Sequence, residues 1–319
     1  MTTLAEWQKV ASVPTEIKGV FKTINTVSRV TPLLDFEKWD GGSVNYEREL
    51  TIPTAADLSD EGTMADSDLS STEVTKTLKT CYVQSLENLK AGRLANKTQP
   101  SAYLKMQMSK AWGRKLEDEI INGDSAVNAL QFDGLNKIAR GETRMMAMDD
   151  GNLDGPGAAE TELTQDRLDQ ALATENGGEP WQAIICNATG IRKLGQLRRA
   201  AGSGVTGSFD SFGQPVLSYP SLEGPIPIVR CDYIPNTETY GDSGTWPSST
   251  ATTLYAVRFG RERQGIVCGH SGAFLNPAFM DIGVLTNKDS RRWRLIADVG
   301  MACLSPFSIV ALGGIDSSA

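Results

Sequence analysis

With 319 residues, 40% of them apolar and 22% charged, the chain has an ordinary globular composition and enough length for two domains and a sizeable core. A formal net charge of −8 argues against a protein devoted to gripping nucleic acid, because phosphate binding depends on Lys and Arg displacing counterions. The five cysteines lie at least 35 residues apart, so no C-x-x-C pair or metal-ligand spacing exists, and they read as free thiols of a cytoplasmic product.

The opening residues "MTTLAEWQKV" carry no cationic leader before an apolar run, and nothing approaches the ~20 apolar residues a bilayer requires, so neither export nor a membrane span is expected. Thr3 and Glu6 form a capping-box pattern, and Ile17, Val20, Phe21, Ile24 and Val27 recur at helical spacing, which predicts two short amphipathic helices in need of a partner. From Val44 the period changes to two. Val44, Tyr46, Arg48, Leu50 and Ile52 share one face, and Asn45, Glu47, Glu49 and Thr51 the other. The arm "STEVTKTLKTCYVQ" alternates again, so two long strands flank a tip that holds Asp57, Asp60, Glu61, Asp66 and Asp68 and no Lys or Arg. A lone two-stranded ribbon is marginal in water, so something outside it must hold it.

"TQPSAYLKMQMSKAWGRKLEDEIINGD" predicts the longest helix: Pro100 suits a first turn, Leu104, Met108, Ala111, Trp112, Leu116 and Ile120 form a stripe, and Gly123 stops it. Arg114 with Asp118 and Lys115 with Glu119 stand at i, i+4 on its opposite face. The Gly- and acid-rich stretch "ETRMMAMDDGNLDGPGAAETE" marks a boundary between lobes. Beyond it come a helix over 164–174, a buried strand "WQAIIC", a helix over 189–201 and short strands without a βαβ repeat, which argues for an α+β fold.

The motifs that could carry chemistry are weak. "GSGVTG" at Gly202–Gly207 satisfies G-x-G-x-x-G, but a helix precedes it where the dinucleotide fingerprint needs a strand. Cys268 lies two residues from His270, the only histidine; a Cys-dependent hydrolase is one reading, but no oxyanion motif or second orienting group accompanies the pair, and Cys268 is more simply a small buried hydrophobe. Arg192, Lys193, Arg198 and Arg199 make one helix basic, but without interleaved aromatics a solvated or subunit-facing surface explains them better than nucleic acid does. Arg291, Arg292 and Arg294 form a second basic cluster whose natural complement is the acidic tip. No catalytic residues, cofactor site or metal site emerge.

Taken in order, several segments resemble the major capsid proteins of tailed double-stranded DNA bacteriophages, the Hong Kong 97-type fold. The hairpin resembles that family's extended E-loop, and Pro100–Asn122 its spine helix. "FDGLNKIAR", "AIICNATGIRKLGQL", "FGQPVLSYPSLEGPIPIVRCDYIP", "TTLYAVRFGRERQGIVCG" and "RRWRLIADVGMACLSPFSIVALGGI" are similar to the turn, strands and helix that follow, with Ser308 where Ala is usual.

The resemblance implies an N-terminal arm (1–43), an E-loop hairpin (44–90), a peripheral domain with the spine helix (91–150 and 276–319) and an axial domain (151–275). It implies a non-enzymatic structural protein that self-assembles into hexamers and pentamers of an icosahedral capsid, made in the host cytoplasm and located in the virion. DNA would be enclosed without sequence-specific contacts. A portal protein and a decoration protein are expected partners, and the short segment before the hairpin implies a separate scaffolding protein. In the family the hairpin lies across a neighbouring subunit, so Asp57, Asp60, Glu61, Asp66 and Asp68 would meet Arg291, Arg292 or Arg294 of the adjacent copy. A Lys–Asn cross-link through Lys76 or Lys79 is a further implication, though no positioned acid is identifiable. An encapsulin-like nanocompartment, with an enzyme as cargo, is the alternative on the same fold.

Overall fold

A computed structural model describes residues 28–51, 70–89, 100–148, 151, 153, 161–174, 180–200, 207–209, 215–221, 224–237, 251–271, 278–286 and 288–317. The two helices expected before residue 28, the acidic tip and most of the glycine motif at 202–207 lie outside them.

Two sheets and one long helix organise the rest. The first sheet has five strands: β1 (Phe36–Lys38), β4 (Lys79–Asn88), β11 (Ile266–His270), β12 (Ala278–Val284) and β13 (Ser290–Cys303). β13 is its axis, antiparallel to β4, β11 and β12, while β1 runs parallel to β11 at the edge. The second sheet has seven strands in the order β5-β14-β10-β6-β9-β8-β7, with β5 (Met145–Ala147), β6 (Ala183–Cys186), β7 (Gly207–Phe209), β8 (Pro215–Ser221), β9 (Gly224–Arg230), β10 (Ala251–Val257) and β14 (Ile309–Asp316). A separate ribbon pairs β2 (Ser43–Thr51) with β3 (Ser70–Thr77). The mixture of helix and strand without a repeating crossover is α+β, as the sequence predicts.

Helix α1 (Pro100–Asn122) lies against the first sheet and buries Met108, Trp112, Leu116 and Ile120 at four-residue intervals. Ala111 does not join that stripe and is exposed. On the other flank Lys115 reaches Glu119 at 3.2 Å and Asp118 at 3.9 Å, so one lysine takes both carboxylates and the expected Arg114–Asp118 pair does not form. Glu119 is itself buried, which a solvated face would not require. The helix ends at Gly123, whose amide donates to the Glu119 carbonyl at 2.9 Å while its own carbonyl accepts from the Gly134 amide at 2.8 Å. A Cβ on Gly134 would stand 2.7 Å from the Glu119 carbonyl, so this turn needs backbone against backbone. The chain then enters α2 (Leu135–Gly141).

Strands β5, β6, β10 and β14 of the seven-stranded sheet are buried on both faces, and strand alternation sorts their side chains between two cores. Met145, Ala183, Ile185, Tyr255, Val257, Ile309 and Ala311 pack with α1 in one core. Met146, Ile184, Cys186, Leu254, Ala256, Val310 and Leu312 pack in the other, with Leu168 of α3 (Gln165–Leu172) and Leu194 of α4 (Ala188–Ala200). Asn187 joins β6 to α4. Its side-chain oxygen accepts from the Gly190 amide at 2.8 Å, and its amide donates to Thr252 Oγ1 and Asn236 Oδ1, each at 2.7 Å. Ser308 is also buried and satisfied, because its hydroxyl donates to the Ser305 carbonyl at 2.7 Å. Serine therefore fits where the resemblance leads one to expect alanine.

Strand pairing cuts across the expected boundary between 151–275 and 276–319. β11, from the stretch assigned to the axial domain, belongs to the five-stranded sheet, and β14, from the stretch assigned to the peripheral domain, belongs to the seven-stranded one. The turn Ser305-Pro306 explains the second exchange: Pro306 cannot continue a ladder, and the chain leaves one sheet there and enters the other.

Candidate intersubunit surfaces

The ribbon is anchored on its own chain at its base. Tyr46 and Arg48 share the inward face, as their period-two spacing predicts, while Asn45 and Glu47 are exposed. The Tyr46 hydroxyl donates to the Cys303 carbonyl at 2.8 Å, and burial pushes its phenol up to about 12. Arg48 donates to both oxygens of Glu142 at 2.7 Å and to the same Cys303 carbonyl at 2.6 Å. From the return arm, Lys76 pairs with Asp133 at 2.8 Å and Lys79 donates to the Ala129 carbonyl at 2.9 Å. Lys76 and Lys79, raised above as cross-linking candidates, thus have partners within the chain, and Asp133 is held below the usual carboxylate range by Lys76 and Ser125 against the opposing effect of burial.

The return arm is not one strand of a simple hairpin. Residues 70–77 pair with β2, and after Leu78 residues 79–88 pair with β13 in ten consecutive positions. The ribbon therefore grows directly out of the five-stranded sheet.

Arg291, Arg292 and Arg294 do not act as one cluster, because alternation along β13 divides them. Arg291 lies on the face that carries α1, where it stacks on Trp293 and pairs with Asp281, with one contact at 2.8 Å. Arg292 and Arg294 lie on the opposite face. Cross-strand register puts Leu86 beside Arg292, Gln84 and Met280 beside Arg294, and Tyr82 beside Ile296. Tyr82 is 62% exposed, and Leu86, Met280 and the neighbouring Ile282 are exposed as well. This face joins apolar side chains to two guanidiniums, while the reverse face is covered by α1 through Val83, Phe279, Trp293 and Leu295. The acids Asp57, Asp60, Glu61, Asp66 and Asp68 lie outside the described residues, so the structure places only the basic half of that pairing. Sequence reading missed the apolar row, although the alternating "YVQSL" contains its signal: Tyr82 and Leu86 stand on the parity that leaves Cys81 and Val83 inside.

The Cys268–His270 pair is buried in β11 with no hydrogen bond between the two among the described residues. Burial pushes the Cys268 thiol far up, the reverse of what a thiolate nucleophile needs, and lowers His270. The geometry does not support a cysteine-dependent hydrolase. All five cysteines are buried and free, no group of side chains suited to a metal occurs among the described residues, and no helix there is long and apolar enough to cross a membrane.

No known family profile and no curated protein matches the sequence. Solved structures do match it. A chain of the holo-SrpI encapsulin complex from Synechococcus elongatus superimposes with a TM-score of 0.68 at 14% identity, over 92% of this chain and 90% of that one. A chain from Microbacterium phage Oxtober96 gives 0.59 at 13%, over 89% and 90%. The capsid of an empty GTA particle gives 0.58 at 12%, over 90% and 89%. A likeness that spans about nine-tenths of both partners at such low identity is one of architecture: the chain has the Hong Kong 97-type capsid fold.

Proposed function

We propose that the chain is the shell subunit of a tailed-phage head, assembling into hexamers and pentamers of an icosahedral capsid that encloses double-stranded DNA in the virion. The supporting observation is that a fold shared with chains of assembled particles comes with a projecting ribbon and an uncovered apolar face bearing Arg292 and Arg294. In this reading the five-stranded sheet and α1 form the peripheral part of each subunit and the seven-stranded sheet the axial part. The acidic ribbon tip of one copy lies on the Tyr82–Leu86–Met280 face of the next. Exposed ion pairs of this kind contribute ~0–1 kcal/mol each and are screened by salt, so buried apolar area and avidity over many copies supply most of the cohesion. A scaffolding protein, a portal and a decoration protein complete the assembly.

The test is reversal of Arg292 and Arg294 to Glu. Particle yield, read by negative-stain microscopy and sedimentation, falls at low salt and recovers partly when Asp57, Asp60 and Glu61 are changed to Lys. Unchanged yield and unchanged salt dependence would remove the pairing from the proposal.

The 0.68 TM-score to an encapsulin chain, above those of the phage and GTA chains quoted, favours a second reading as a nanocompartment shell. Nuclease-protected DNA inside purified particles decides for the head, and a co-purifying enzyme without nucleic acid decides for the compartment.

A further inference from the structure

A cleft of about 450 Å³ opens where three separate segments meet: Arg29 in the arm, Arg114 and Glu117 on α1, and Arg230, Asp232 and Tyr233 at and just after the end of β9. Three guanidiniums facing one cavity repel one another, which is an unusual local surplus in a chain of net charge −8. The two acids offset it only in part, leaving one positive charge in excess. Asp232 is taken by Arg230 Nε at 2.6 Å. Glu117 lies at the back, only 4% exposed, and accepts the Arg29 backbone amide at 3.3 Å. Among the described residues the guanidiniums of Arg29 and Arg114 have no ion-pair partner.

We propose that this cleft is an oxyanion site that takes a phosphate group, either free phosphate or a phosphodiester of a nucleic-acid backbone. Guanidinium forks match phosphate oxygens bidentately and stay charged at every accessible pH. Arg29 and Arg114, which have no ion-pair partner among the described residues, supply two forks, and Asp232 holds Arg230 through its Nε, so that among the described residues its terminal N–H groups face no acid. The bound anion joins the arm to α1 and β9, so its binding stabilises the docked arm by linkage. The inference does not depend on the chain forming a shell, since it concerns a cleft within one copy.

The experiment compares phosphate with chloride at matched ionic strength, using thermal unfolding of the purified full chain, and in parallel measures anisotropy of a labelled short DNA duplex. Phosphate raises Tm in the parent protein. Arg29→Gln with Arg114→Gln lowers the phosphate affinity at least tenfold, and Arg199→Gln, at an exposed position on α4, leaves it unchanged. Duplex binding that is lost in the same double variant and competed by phosphate identifies the backbone as the source; phosphate binding without duplex binding identifies the free anion. If phosphate and chloride act alike, or if Arg199→Gln weakens binding as much as the cleft variants do, the site does not exist. Should the double variant fold poorly by circular dichroism, Arg114→Lys decides: it keeps the charge and loses the fork, so affinity falls partway if the cleft binds as proposed and stays at the parent value if it does not.

Discussion

Trp39 shows how far a single residue depends on what faces it. Its indole lies on the cross-strand pair Gly269 and Gly300, and a Cβ on Gly300 would come within 2.8 Å of the ring, with that on Gly269 closer still. Gly269→Ala is therefore expected to displace Trp39 from the sheet and to cost about 1–3 kcal/mol, as overpacking does, visible as a lower midpoint in urea and a red-shifted Trp emission. His270 offers a cleaner measurement, because it is the only histidine. Burial lowers its pKa, with Lys38 adding to the shift and a hydrogen bond involving the Ser271 backbone opposing it. The unfolded chain then binds a proton first as pH falls below about 6.5, so stability declines with acidification through that window until the folded-state pKa is reached. Glu117 and Glu119, raised by burial, act in the opposite direction above pH 4.5. The difference in slope between parent and His270→Asn isolates the histidine, and equal slopes would refute the assignment. Little of this was readable beforehand: the sequence shows Gly269 and His270 inside an apolar stretch, but not that an indole from residue 39 needs the space.

Elements with strong punctuation were legible and those without it were not. Helix α1 matches its expected limits because Pro100 and Gly123 bracket an apolar stripe, and α4 begins where Asn187 can cap it. The division of the return arm at Leu78 was invisible, since "STEVTKT" and "KTCYVQSL" alternate alike and only their partners differ. The exchange of β11 and β14 between sheets was hidden for the same reason: a strand's sequence states which face is apolar, not which sheet it joins. Anchorage of the ribbon rests on residues 94 positions apart, Arg48 and Glu142. Arg48→Ala removes a partly buried ion pair, in which Nη1 donates to both Glu142 oxygens, and the Nη2 bond to the Cys303 carbonyl. Limited proteolysis within residues 44–77 should accelerate several-fold while helix content stays constant, and an unchanged cleavage rate would mean that the ribbon is held by something other than Arg48.

For the molecule as a whole, the resemblance read from ordered short segments reached the architecture correctly at a level of identity where no single segment is decisive. Composition and element pattern alone would have stopped at an acidic α+β protein. The sequence could not show that the basic cluster splits between two faces, with Arg291 already engaged by Asp281. That geometry makes an internal control: Arg291→Glu should disturb the subunit's own sheet end and leave the salt dependence of assembly unchanged, whereas reversal of Arg292 and Arg294 alters assembly itself. Sedimentation across a salt series separates the two outcomes.

The absence of any loop at Leu78 has a mechanical meaning. Tension applied at the far end of the projecting ribbon passes along a continuous backbone into β4, whose ten registered positions against β13 are loaded in shear and must yield together rather than peel apart one at a time. A pull along that axis is thus resisted by the stiffest direction of the sheet, while a sideways push is met by the side-chain contacts of Tyr46, Arg48 and Lys76 at the base.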